Sequence, residues 1–521
     1  MAWPERNKVL TLGERNFDEI PFEQRNLYLT AVTYSDLADR KVLNQAKGVV
    51  LSDRPGEFGR ILKSLRQLIP EMKDREIMVV ILAQNRTDYL RILELQPTDA
   101  QFEQSTEVVE VNNIWDAAEK IARHDPGPPE GPIIPLPDGE ERKMSIESIN
   151  PVEINLSAED ELILKRAFWD CDRLFLTRLS GGRASMSVYK VQAWLAEGNA
   201  RPRPLPFFLK IDDPVAVKKE MECYRDHVEH YLPFNLRPQI AEKRCVRTRQ
   251  KRALVGTFVD YAVDLRTALR SGQAINLLFS LFETSLRGFR AQPLSSKPDP
   301  LPDVLNGFVS ARINLNAAIP LMVEREQIAK DFGLTTNSTW IEAQLVDAAR
   351  PIKCLIGPTH GDLHYGNVMI RGTDAVVIDF ASIVDGPLTS DPAALEVSLM
   401  FGTDDEDKVD DFKEWRGFID EIYGLNIQTL HPPALFDSQP GKFSWLRRSL
   451  RELRHVLLGC DGEKAEAKIV LGAYLMRYAR LPVEHLKNTD LISLAERRHA
   501  YAMVVAERLA ISLMPNPEYM I

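Results

Sequence analysis

The sequence predicts an α/β domain with a parallel sheet, followed by a larger two-lobed α+β domain. Up to about residue 124, short β-branched runs alternate with helical patterns. A stretch rich in proline and glycine follows, and beyond it a strand-rich segment gives way to a helix-rich one. The chain has 521 residues, several times what one hydrophobic core needs, so we expect more than one domain.

Composition and charge narrow the class of protein. Hydrophobic residues make up 44% and charged residues 27% of the chain, which excludes disordered and fibrous classes. The 65 Lys and Arg against 75 Asp and Glu give a net charge of −10, which argues against a protein that mainly binds nucleic acid or a membrane. The N-terminus lacks the apolar core of a signal peptide, so we expect a cytoplasmic protein.

The cysteines indicate the redox state of the chain. They are widely scattered, and no two form a CxxC pair. This spacing favours reduced thiols over a disulfide framework or a metal centre. The five are Cys171, Cys223, Cys245, Cys354 and Cys460.

Residues 1–124 are expected to form a small doubly wound domain. Short apolar runs in this part have the character of buried parallel strands. They are Lys8–Leu12, Leu29–Tyr34, Gly48–Leu51, Met78–Leu82 and Val108–Val111. Apolar residues at helical spacing predict helices over Phe58–Ile69 and Ile114–Ala122.

The order of these elements resembles a response-regulator receiver, which is a flavodoxin-like domain. Asp53 follows the third strand, where a receiver carries its phospho-acceptor. Three features differ from a receiver: Gly13-Glu14-Arg15 stands where an acidic pair would hold Mg²⁺, Ala83 ends the fourth strand without a hydroxyl, and no lysine follows the fifth. We therefore interpret Asp53 as a helix cap and the domain as a receiver-like scaffold used for interaction.

A linker is expected over residues 125–156, because its prolines favour extended chain. Residues 157–521 then form the larger domain, with an N-lobe over 157–260 and a C-lobe over 261–521. Ser157 and Asp160 have the spacing of a capping box and predict a helix to about Ala167. The next predicted elements are strands Leu174–Leu179, Ser187–Gln192 and Pro206–Ile211, and helix Val217–Tyr231.

Three side chains near residue 370 suggest phosphoryl transfer, which needs Mg²⁺ held by hard oxygen ligands against the charge of the γ-phosphoryl group. Asp379 offers a carboxylate at the end of a short apolar strand, and Asn367 offers an amide oxygen. Asp362, five residues before Asn367, would orient an acceptor hydroxyl and take its proton. A hairpin of Val368–Ile370 with Val376–Ile378 would bring Asp379 beside Asn367.

This pattern resembles the aminoglycoside phosphotransferase and choline kinase family, the small-molecule branch of the protein-kinase-like fold. His360-Gly-Asp with a second histidine, followed by an apolar-Asp-Phe run, is the hallmark of that branch. The resemblance implies a bilobal kinase-like fold that uses ATP and Mg²⁺. It assigns Asp362 as the catalytic base and Asn367 and Asp379 as the metal ligands.

The resemblance also implies roles for residues around this loop. His360 would pack under the loop as structural support, and Asp391 would brace the loop backbone. His364 either orders the loop through a hydrogen bond or takes part in catalysis. The family has an aspartate where this chain has Pro387, a departure that bears on the geometry there.

The upstream half of the larger domain would supply the site for ATP. A turn with Gly181, Gly182 and Ser185 would let backbone N–H groups approach the phosphates. Lys210 would contact the α- and β-phosphates and be held by an ion pair with Glu220 or, alternatively, Glu222.

The strand that ends near Phe258 and Val259 resembles the hinge whose backbone would pair with adenine. Phe208 stands two residues before Lys210, where the fold usually has a small residue. Either the strand is shifted or the adenine pocket has an unusual shape.

Two functions from different classes are compatible with these patterns. The first is phosphoryl transfer from ATP to a hydroxyl of a small molecule, since only eleven residues separate Asp379 from Asp391 and leave little room to dock a peptide. The second is a nucleotide-binding signalling or scaffold protein, in a bacterial regulatory or defence system, whose receiver-like domain docks a partner protein. The acidic run from Asp404 to Asp407 either attracts a polycationic acceptor or is a solvated helix start.

Overall fold

The structure is a computed structural model that divides into two compact units. The first comprises Met1–Lys218 and Gln239–Phe258, and the second comprises Lys219–Pro238 and Val259–Ile521. Both units contain helices and sheets. The residues that the structure describes are 6–13, 17–33, 35–52, 72, 74–83, 87, 106–131, 134–135, 141–142, 144–148, 154–179, 187–196, 205–272, 274–291, 299–301, 315–404, 406–424, 430, 441–460, 465–483 and 488–514.

A five-stranded parallel sheet forms the N-terminal part of the first unit. Its strands are β1 (Lys8–Gly13), β2 (Tyr28–Ala31), β3 (Ala46–Ser52), β4 (Met78–Ala83) and β5 (Thr106–Glu110). They lie in the order β2-β1-β3-β4-β5, which is the order of flavodoxin-like sheets. The accompanying helices are α1 (Ile20–Glu23), α2 (Arg40–Gln45) and α3 (Ile114–Arg123). The five predicted strands and the predicted helix at Ile114 are confirmed.

The strands β3 and β4 of this parallel sheet are buried on both faces, which explains their apolar runs. Successive side chains of a strand point to opposite faces, so neighbouring residues enter different cores. One core contains Leu10, Val49, Leu51 and Ile81, and the other contains Val9, Val50, Val80 and Leu82. Asp53 and the predicted helix Phe58–Ile69 lie outside the described residues, so the receiver-like interpretation stays a prediction.

A second five-stranded sheet lies in the same unit. Its strands are β6 (Ser145–Ser148), β7 (Cys171–Arg178), β8 (Ser187–Leu195), β9 (Phe207–Asp212) and β10 (Arg252–Thr257). They lie in the order β10-β9-β8-β7-β6, and every pair is antiparallel except β6 with β7. Strand β6 falls within residues 125–156, as do the short paired strands Ile134–Pro135 and Glu141–Arg142.

Two helices adjoin strands of this second sheet along the chain. Helix α4 (Ala158–Ala167) begins with the predicted capping box: Ser157 Oγ accepts from the Asp160 N–H at 3.2 Å, and Asp160 Oδ2 accepts from the Ser157 N–H at 3.0 Å. Helix α5 (Pro214–Cys223) follows β9 and continues through a π-helical turn. The predicted helix over Val217–Tyr231 is therefore present, with a different internal geometry.

Residues 124–131 contact both the parallel-sheet domain and α4. Asn44 on α2 exchanges two hydrogen bonds with the backbone of Glu130, at 2.9 and 3.2 Å. Arg166 on α4 is fully buried and donates to the carbonyls of Pro126 and Pro128 at 2.7 and 3.2 Å. The start of the predicted linker is thus packed against protein on both sides. The domain boundaries at 124 and 156 stay predictions.

Helices dominate the second unit. They are α6 (Leu265–Arg270), α7 (Ala274–Phe279), α8 (Arg287–Ala291), α9 (Leu315–Asp331), α10 (Ser338–Ala349), α11 (Ser390–Phe401), α12 (Phe412–Ile422), α13 (Ser444–Cys460), α14 (Glu466–Ala479) and α15 (Thr489–Ser512). Helix α14 is buried over almost its whole length and packs against α11 and α15. None of the helices in the described ranges combines the length and apolar character needed to cross a bilayer.

Four short strands position the loops of this unit. They are β11 (Ile356–Thr359), β12 (Val368–Arg371), β13 (Asp374–Val377) and β14 (Val384–Pro387). Strand β11 pairs with β14, and β12 pairs with β13, in antiparallel register. The predicted hairpin between Val368 and Val377 is confirmed.

Candidate active site

The two strand pairs of the second unit join the loop of residues 360–367, here called the site loop, to the end of β13. The Ile378 N–H donates to the Asn367 carbonyl at 3.0 Å. The buried His360 ring completes the connection, because its Nε2 lies 3.0 Å from the Ile378 carbonyl oxygen. Asn367 and Asp379 therefore lie at the same end of the β12–β13 hairpin.

The carboxylate of Asp362 pairs with Arg477 of α14. The Nη2 of Arg477 lies 2.8 Å from Asp362 Oδ1, and its Nη1 donates to the Gly361 carbonyl at 3.3 Å. The Asp362 side chain is 35% exposed, whereas the Arg477 side chain is 11% exposed. The carboxylate is thus held from the protein side and is accessible from the other.

Asn367 closes the site loop on itself. Its buried side chain donates through Nδ2 to the Asp362 carbonyl at 2.9 Å, and the His364 N–H donates to the same carbonyl at 3.0 Å. Nδ1 of His364 accepts from the Gly366 N–H at 3.1 Å, which is the hydrogen bond required by the loop-ordering role. Because the amide nitrogen of Asn367 points to Asp362, the amide oxygen is the atom of this side chain suited to bind a cation.

Asp379 follows β13 and has a φ of +61°. This is the left-handed region, which residues other than glycine rarely adopt. Such a conformation costs on the order of 1–3 kcal/mol and is concentrated at functional sites. The next residue, Phe380, is buried and packs against the rings of His360 and Tyr224, with centroids 5.7 and 6.0 Å away. The strained residue is therefore followed by a firmly packed one.

The donor atoms at this position suit magnesium. Asn367 supplies an amide oxygen and Asp379 a carboxylate, which are the hard ligands that Mg²⁺ prefers. In the described part of the chain, no three or more His, Cys, Asp or Glu side chains converge as a metal site. A pair of protein ligands still fits Mg²⁺, since this ion keeps several waters and shares its coordination with substrate phosphates.

Asp391, at the start of α11, holds the first residues of the site loop. Its two carboxylate oxygens accept from the N–H groups of His360 and Gly361, at 2.8 and 3.2 Å. These are the hydrogen bonds that its predicted bracing role requires. Burial raises the pKa of Asp391, and the nearby His360 ring and the two N–H donors oppose that shift. Pro387 lies in β14 opposite Ile356, and this departure from the family pattern leaves the hydrogen bonds of Asp391 in place.

Gly361 is a position where a side chain would not fit. Its φ is +73°, and a Cβ would lie 2.2 Å from the Ser382 carbonyl oxygen. The site loop and the segment after Asp379 therefore approach each other as closely as their backbones allow.

The predicted ATP-binding residues are spread over both units. Gly181, Gly182 and Ser185 lie outside the described residues. Lys210 is buried in β9 and is the cross-strand partner of residues in β8 and β10. On α5, Glu220 is buried whereas Glu222 is exposed, which favours Glu220 as the residue turned into the protein.

The structure shows how the first unit accommodates Phe208. This residue is the cross-strand partner of Gly256, and its ring occupies the space that a Cβ on the glycine would need. The N–H of Phe258 donates to the Pro206 carbonyl at 3.1 Å, so this donor is already used within the first unit. Val259 is buried in the second unit.

The acidic run in the second unit is neutralised by arginines. Arg266 lies 2.8 Å from Asp404 and 3.0 Å from Asp407, and Arg498 lies 3.0 Å from Asp407. Burial disfavours the ionised form of Asp407, but the guanidinium groups of Arg266 and Arg498 outweigh it and lower the pKa. These contacts make the described residues of the run a structural cluster. It matches neither predicted alternative, because Asp407 is buried, the next helical element begins only at Val409, and arginines already neutralise the carboxylates.

The sequence motifs do not identify Arg477 as a site residue. It lies 115 positions from Asp362 and outside every segment that carries the kinase-like pattern. One feature of the sequence does indicate that Arg477 has a partner. It directly follows the apolar run Ala473-Tyr-Leu-Met, and a charged residue buried with such a run needs a partner.

Among protein-family models, the one that matches is described as Ternary complex associated domain 9, over residues 337–495. This segment covers less than half of the chain and contains the site loop, Asp379, Asp391 and Arg477. No match is found among curated proteins.

Several solved structures are similar to the chain at low identity. An apo thermostable mutant of aminoglycoside phosphotransferase APH(4)-Ia is 11% identical, with 66% of this chain and 95% of that chain covered and a TM-score of 0.36. A choline/ethanolamine kinase family protein from Mesorhizobium loti is 13% identical, with 65% and 92% covered and a TM-score of 0.33. The amicoumacin kinase hAmiN, in complex with AMP-PNP, Ca²⁺ and Ami, is 10% identical, with 66% and 92% covered and a TM-score of 0.32.

Proposed function

We propose that the protein is an ATP- and Mg²⁺-dependent phosphotransferase that transfers the γ-phosphoryl group to a hydroxyl of a small molecule. The observation that carries this proposal is the site loop itself. An accessible carboxylate (Asp362) and a buried amide (Asn367) are linked through one carbonyl, and the loop is bonded to the hairpin that ends in Asp379. Base and metal ligands are thereby held on one backbone framework.

Each of these residues has a defined task in the proposed reaction. Asp362 accepts the proton of the acceptor hydroxyl, which makes the oxygen a better nucleophile toward phosphorus. Asn367 and Asp379 hold Mg²⁺. When bound, this ion neutralises charge on the phosphoryl oxygens. His360 and Asp391 hold the site loop through hydrogen bonds. The His360 ring bonds the Ile378 carbonyl, and Asp391 accepts from the N–H groups of His360 and Gly361.

The residues proposed to bind the nucleotide act on its other parts. Lys210, with Glu220 as its partner, contacts the α- and β-phosphates. Gly181, Gly182 and Ser185 are proposed to bind the phosphates, and the backbone near Phe258 and Val259 is proposed to pair with adenine. Since the Phe258 N–H already donates to Pro206, the contact from Phe258 would come from its carbonyl.

Turnover of ATP by the full chain tests this proposal. Phosphate transfer is measured across a panel of aminoglycosides, choline-like alcohols and sugars, with ATP hydrolysis by water as the baseline. We expect Asp362→Asn to lower kcat by about 10²–10⁴-fold, the usual contribution of a positioned general base. Asp374→Asn, in the same hairpin but outside the proposed machinery, is the matched control and should turn over normally. Equal rates for wild type and Asp362→Asn would overturn the proposal.

A second candidate function is favoured by the family match. The description of that family, ternary complex associated, supports a chain that works within a complex, as a nucleotide-binding scaffold whose N-terminal domain docks a partner protein. Thermal stabilisation by ATP and Mg²⁺, measured together with turnover, separates the two candidates. Stabilisation without any acceptor-dependent release of ADP would favour the scaffold.

A further inference from the structure

We propose that Arg477 is a positioning residue for the phosphotransfer reaction, one that holds the Asp362 carboxylate and the backbone beneath it in a single orientation. This inference rests on the proposed function of Asp362. It concerns a side chain from α14, an element that contributes no residue to the kinase-like sequence pattern.

The geometry of the contact restricts two motions at once. Nη2 of Arg477 bonds Asp362 Oδ1 at 2.8 Å, and Nη1 bonds the carbonyl of the preceding residue, Gly361, at 3.3 Å. A guanidinium is planar and its N–H groups have fixed directions, so two bonds to adjacent residues set their relative orientation. Arg477 therefore limits the rotation of the carboxylate and of the peptide plane that carries it.

Gly361 is held from both sides. Its N–H donates to Asp391 of α11, and its carbonyl accepts from Arg477 of α14. The two helices are joined to each other by a buried hydrogen bond, because Thr389 Oγ1, at the N-cap of α11, donates to Glu466 at the start of α14 at 2.8 Å. The residue before the proposed base is thus fixed between two helices that are themselves connected.

The exposure of the pair argues for orientation over stability. One ion pair of this unit, Arg454 with Glu396, is almost completely buried, since each side chain is at most 2% exposed. The Asp362 carboxylate is 35% exposed and could be solvated by water without Arg477. Because one partner stays accessible, this pair should add less to stability than a fully buried pair. Loss of the contact should therefore affect the direction of the carboxylate more than the fold.

The test uses the full chain with Arg477→Met and Arg477→Lys. We expect Arg477→Met to lower kcat by about 10–100-fold, because small misplacements of a reacting group cost that much. KM for ATP should stay within about two-fold, since the contact does not involve nucleotide binding. Arg477→Lys should recover part of the rate, because it restores the charge but not the two-pronged geometry. Added guanidinium ion should raise the rate of an Arg477→Ala variant and leave wild type unchanged.

Arg325→Met is the matched control. Arg325 on α9 is fully buried, donates to the carbonyl of Ala479 at the end of α14, and pairs with Glu496 at 2.7 Å. Its loss should lower the thermal midpoint at least as much as loss of Arg477, with kcat per folded molecule unchanged. If Arg477→Met keeps the wild-type kcat, or if its rate falls with its stability and neither lysine nor guanidinium restores it, the inference is overturned.

The same measurements distinguish this inference from the proposed function. If Asp362→Asn is slow but Arg477→Met is not, only the role of Arg477 fails. If wild type and Asp362→Asn turn over equally, or wild type shows no turnover at all, the proposed function fails and the role of Arg477 fails with it.

Discussion

Two buried arginines, one in each unit, hold loops in different ways. Arg166 in the first unit has no exposed surface and pairs with Glu76, which is itself only 15% exposed. Arg477 in the second unit pairs with Asp362, which is 35% exposed. The remaining acceptors of Arg166 are the main-chain carbonyls of Asp74, Pro126, Pro128 and Arg247. The difference teaches that the same kind of side chain can join buried segments or hold a carboxylate that stays accessible.

The surroundings of Arg166 explain why it belongs to the stability of the first unit. Burial, reinforced by the charge of Arg166, lowers the pKa of Arg6 to about 9 against the opposing charge of Glu76. Glu76 also pairs with Arg247, and Arg75 lies 3.4 Å from Glu130. The parallel-sheet domain, residues 124–131 and α4 are joined by this network.

We call the contact among the parallel-sheet domain, residues 124–131 and α4 the junction. Breaking it should produce the largest effect on stability. We expect Arg166→Met to lower the free energy of unfolding by about 3–5 kcal/mol, because it removes the donor of Glu76 Oε2 and of several buried carbonyls. The shift of the denaturation midpoint of the full chain measures this. Arg173→Met is the control, since Arg173 is exposed and 3.8 Å from Glu147, and it should cost less than about 1 kcal/mol. Similar small losses in both variants would show that the junction does not depend on Arg166.

Two glycines, one beside each arginine site, test whether the two regions differ in their effect on turnover. A Cβ on Gly131 would lie 2.2 Å from the Trp169 carbonyl oxygen, and one on Gly361 equally close to that of Ser382. Each Gly→Ala change should lower the free energy of unfolding by about 1–3 kcal/mol through overpacking. Only Gly361→Ala should also lower kcat, by about 100-fold, because it displaces the site loop.

Gly417→Ala is the control for both glycine variants, because nothing lies within 4 Å of its added Cβ. It should raise the free energy of unfolding by about 0.5–1 kcal/mol, because alanine favours the helix that contains it, and leave turnover close to wild type. A Gly131→Ala protein that loses as much kcat as Gly361→Ala would contradict the division into a stabilising junction and a reactive loop.

Two buried aspartates of the second unit should respond to pH in opposite senses. The lowered pKa of Asp407 stabilises the fold above the ordinary value of 3.8, and this stability is lost as the pH falls through the folded-state pKa. The raised pKa of Asp391 acts the other way, since its contribution becomes less favourable as the pH rises from 3.8 through the folded-state pKa.

Denaturation midpoints measured from about pH 3 to pH 6 test this contrast. Asp407→Asn should flatten the loss of stability below 3.8, the ordinary pKa of the aspartate carboxyl. Asp391→Asn should steepen the rise of stability with pH above 3.8, although it also removes two hydrogen bonds and lowers stability at every pH. Parallel pH curves for wild type and both variants would contradict the assigned directions.

The smallest effect is expected at the acidic run. Asp404 is already paired with Arg266 at 2.8 Å and with Arg270 at 3.2 Å. Asp404→Asn should therefore change the KM of a cationic aminosugar by less than about two-fold, since the carboxylate is neutralised within the protein. A clear rise in KM for cationic acceptors, with KM for neutral ones unchanged, would instead identify the run as part of an acceptor site.

Much of the fold was predictable because its signals are local. The strands β3 and β4 carry apolar runs that follow from burial on both faces, and the Ser157–Asp160 capping box uses side chains three residues apart. The hairpin β12–β13 was predictable from two apolar runs with a turn between them. Strand β6 was not, because its residues Ser145–Ser148 are polar for the most part and acquire strand structure by pairing with β7.

The sequence by itself determined the apolar strands, the Ser157–Asp160 capping box and the spacing of Asp362, Asn367 and Asp379, because each depends on neighbours along the chain. Only the tertiary structure decided that Arg477 holds Asp362, that Arg166 joins three segments, and that arginines neutralise the acidic run. The physical reason is the kind of group that the two arginines bind. Arg166 and Arg477 bind main-chain carbonyls, which every residue possesses, and the residues that carry those carbonyls lie 38–116 positions away. Such a contact cannot be predicted from a pattern of side chains in the sequence.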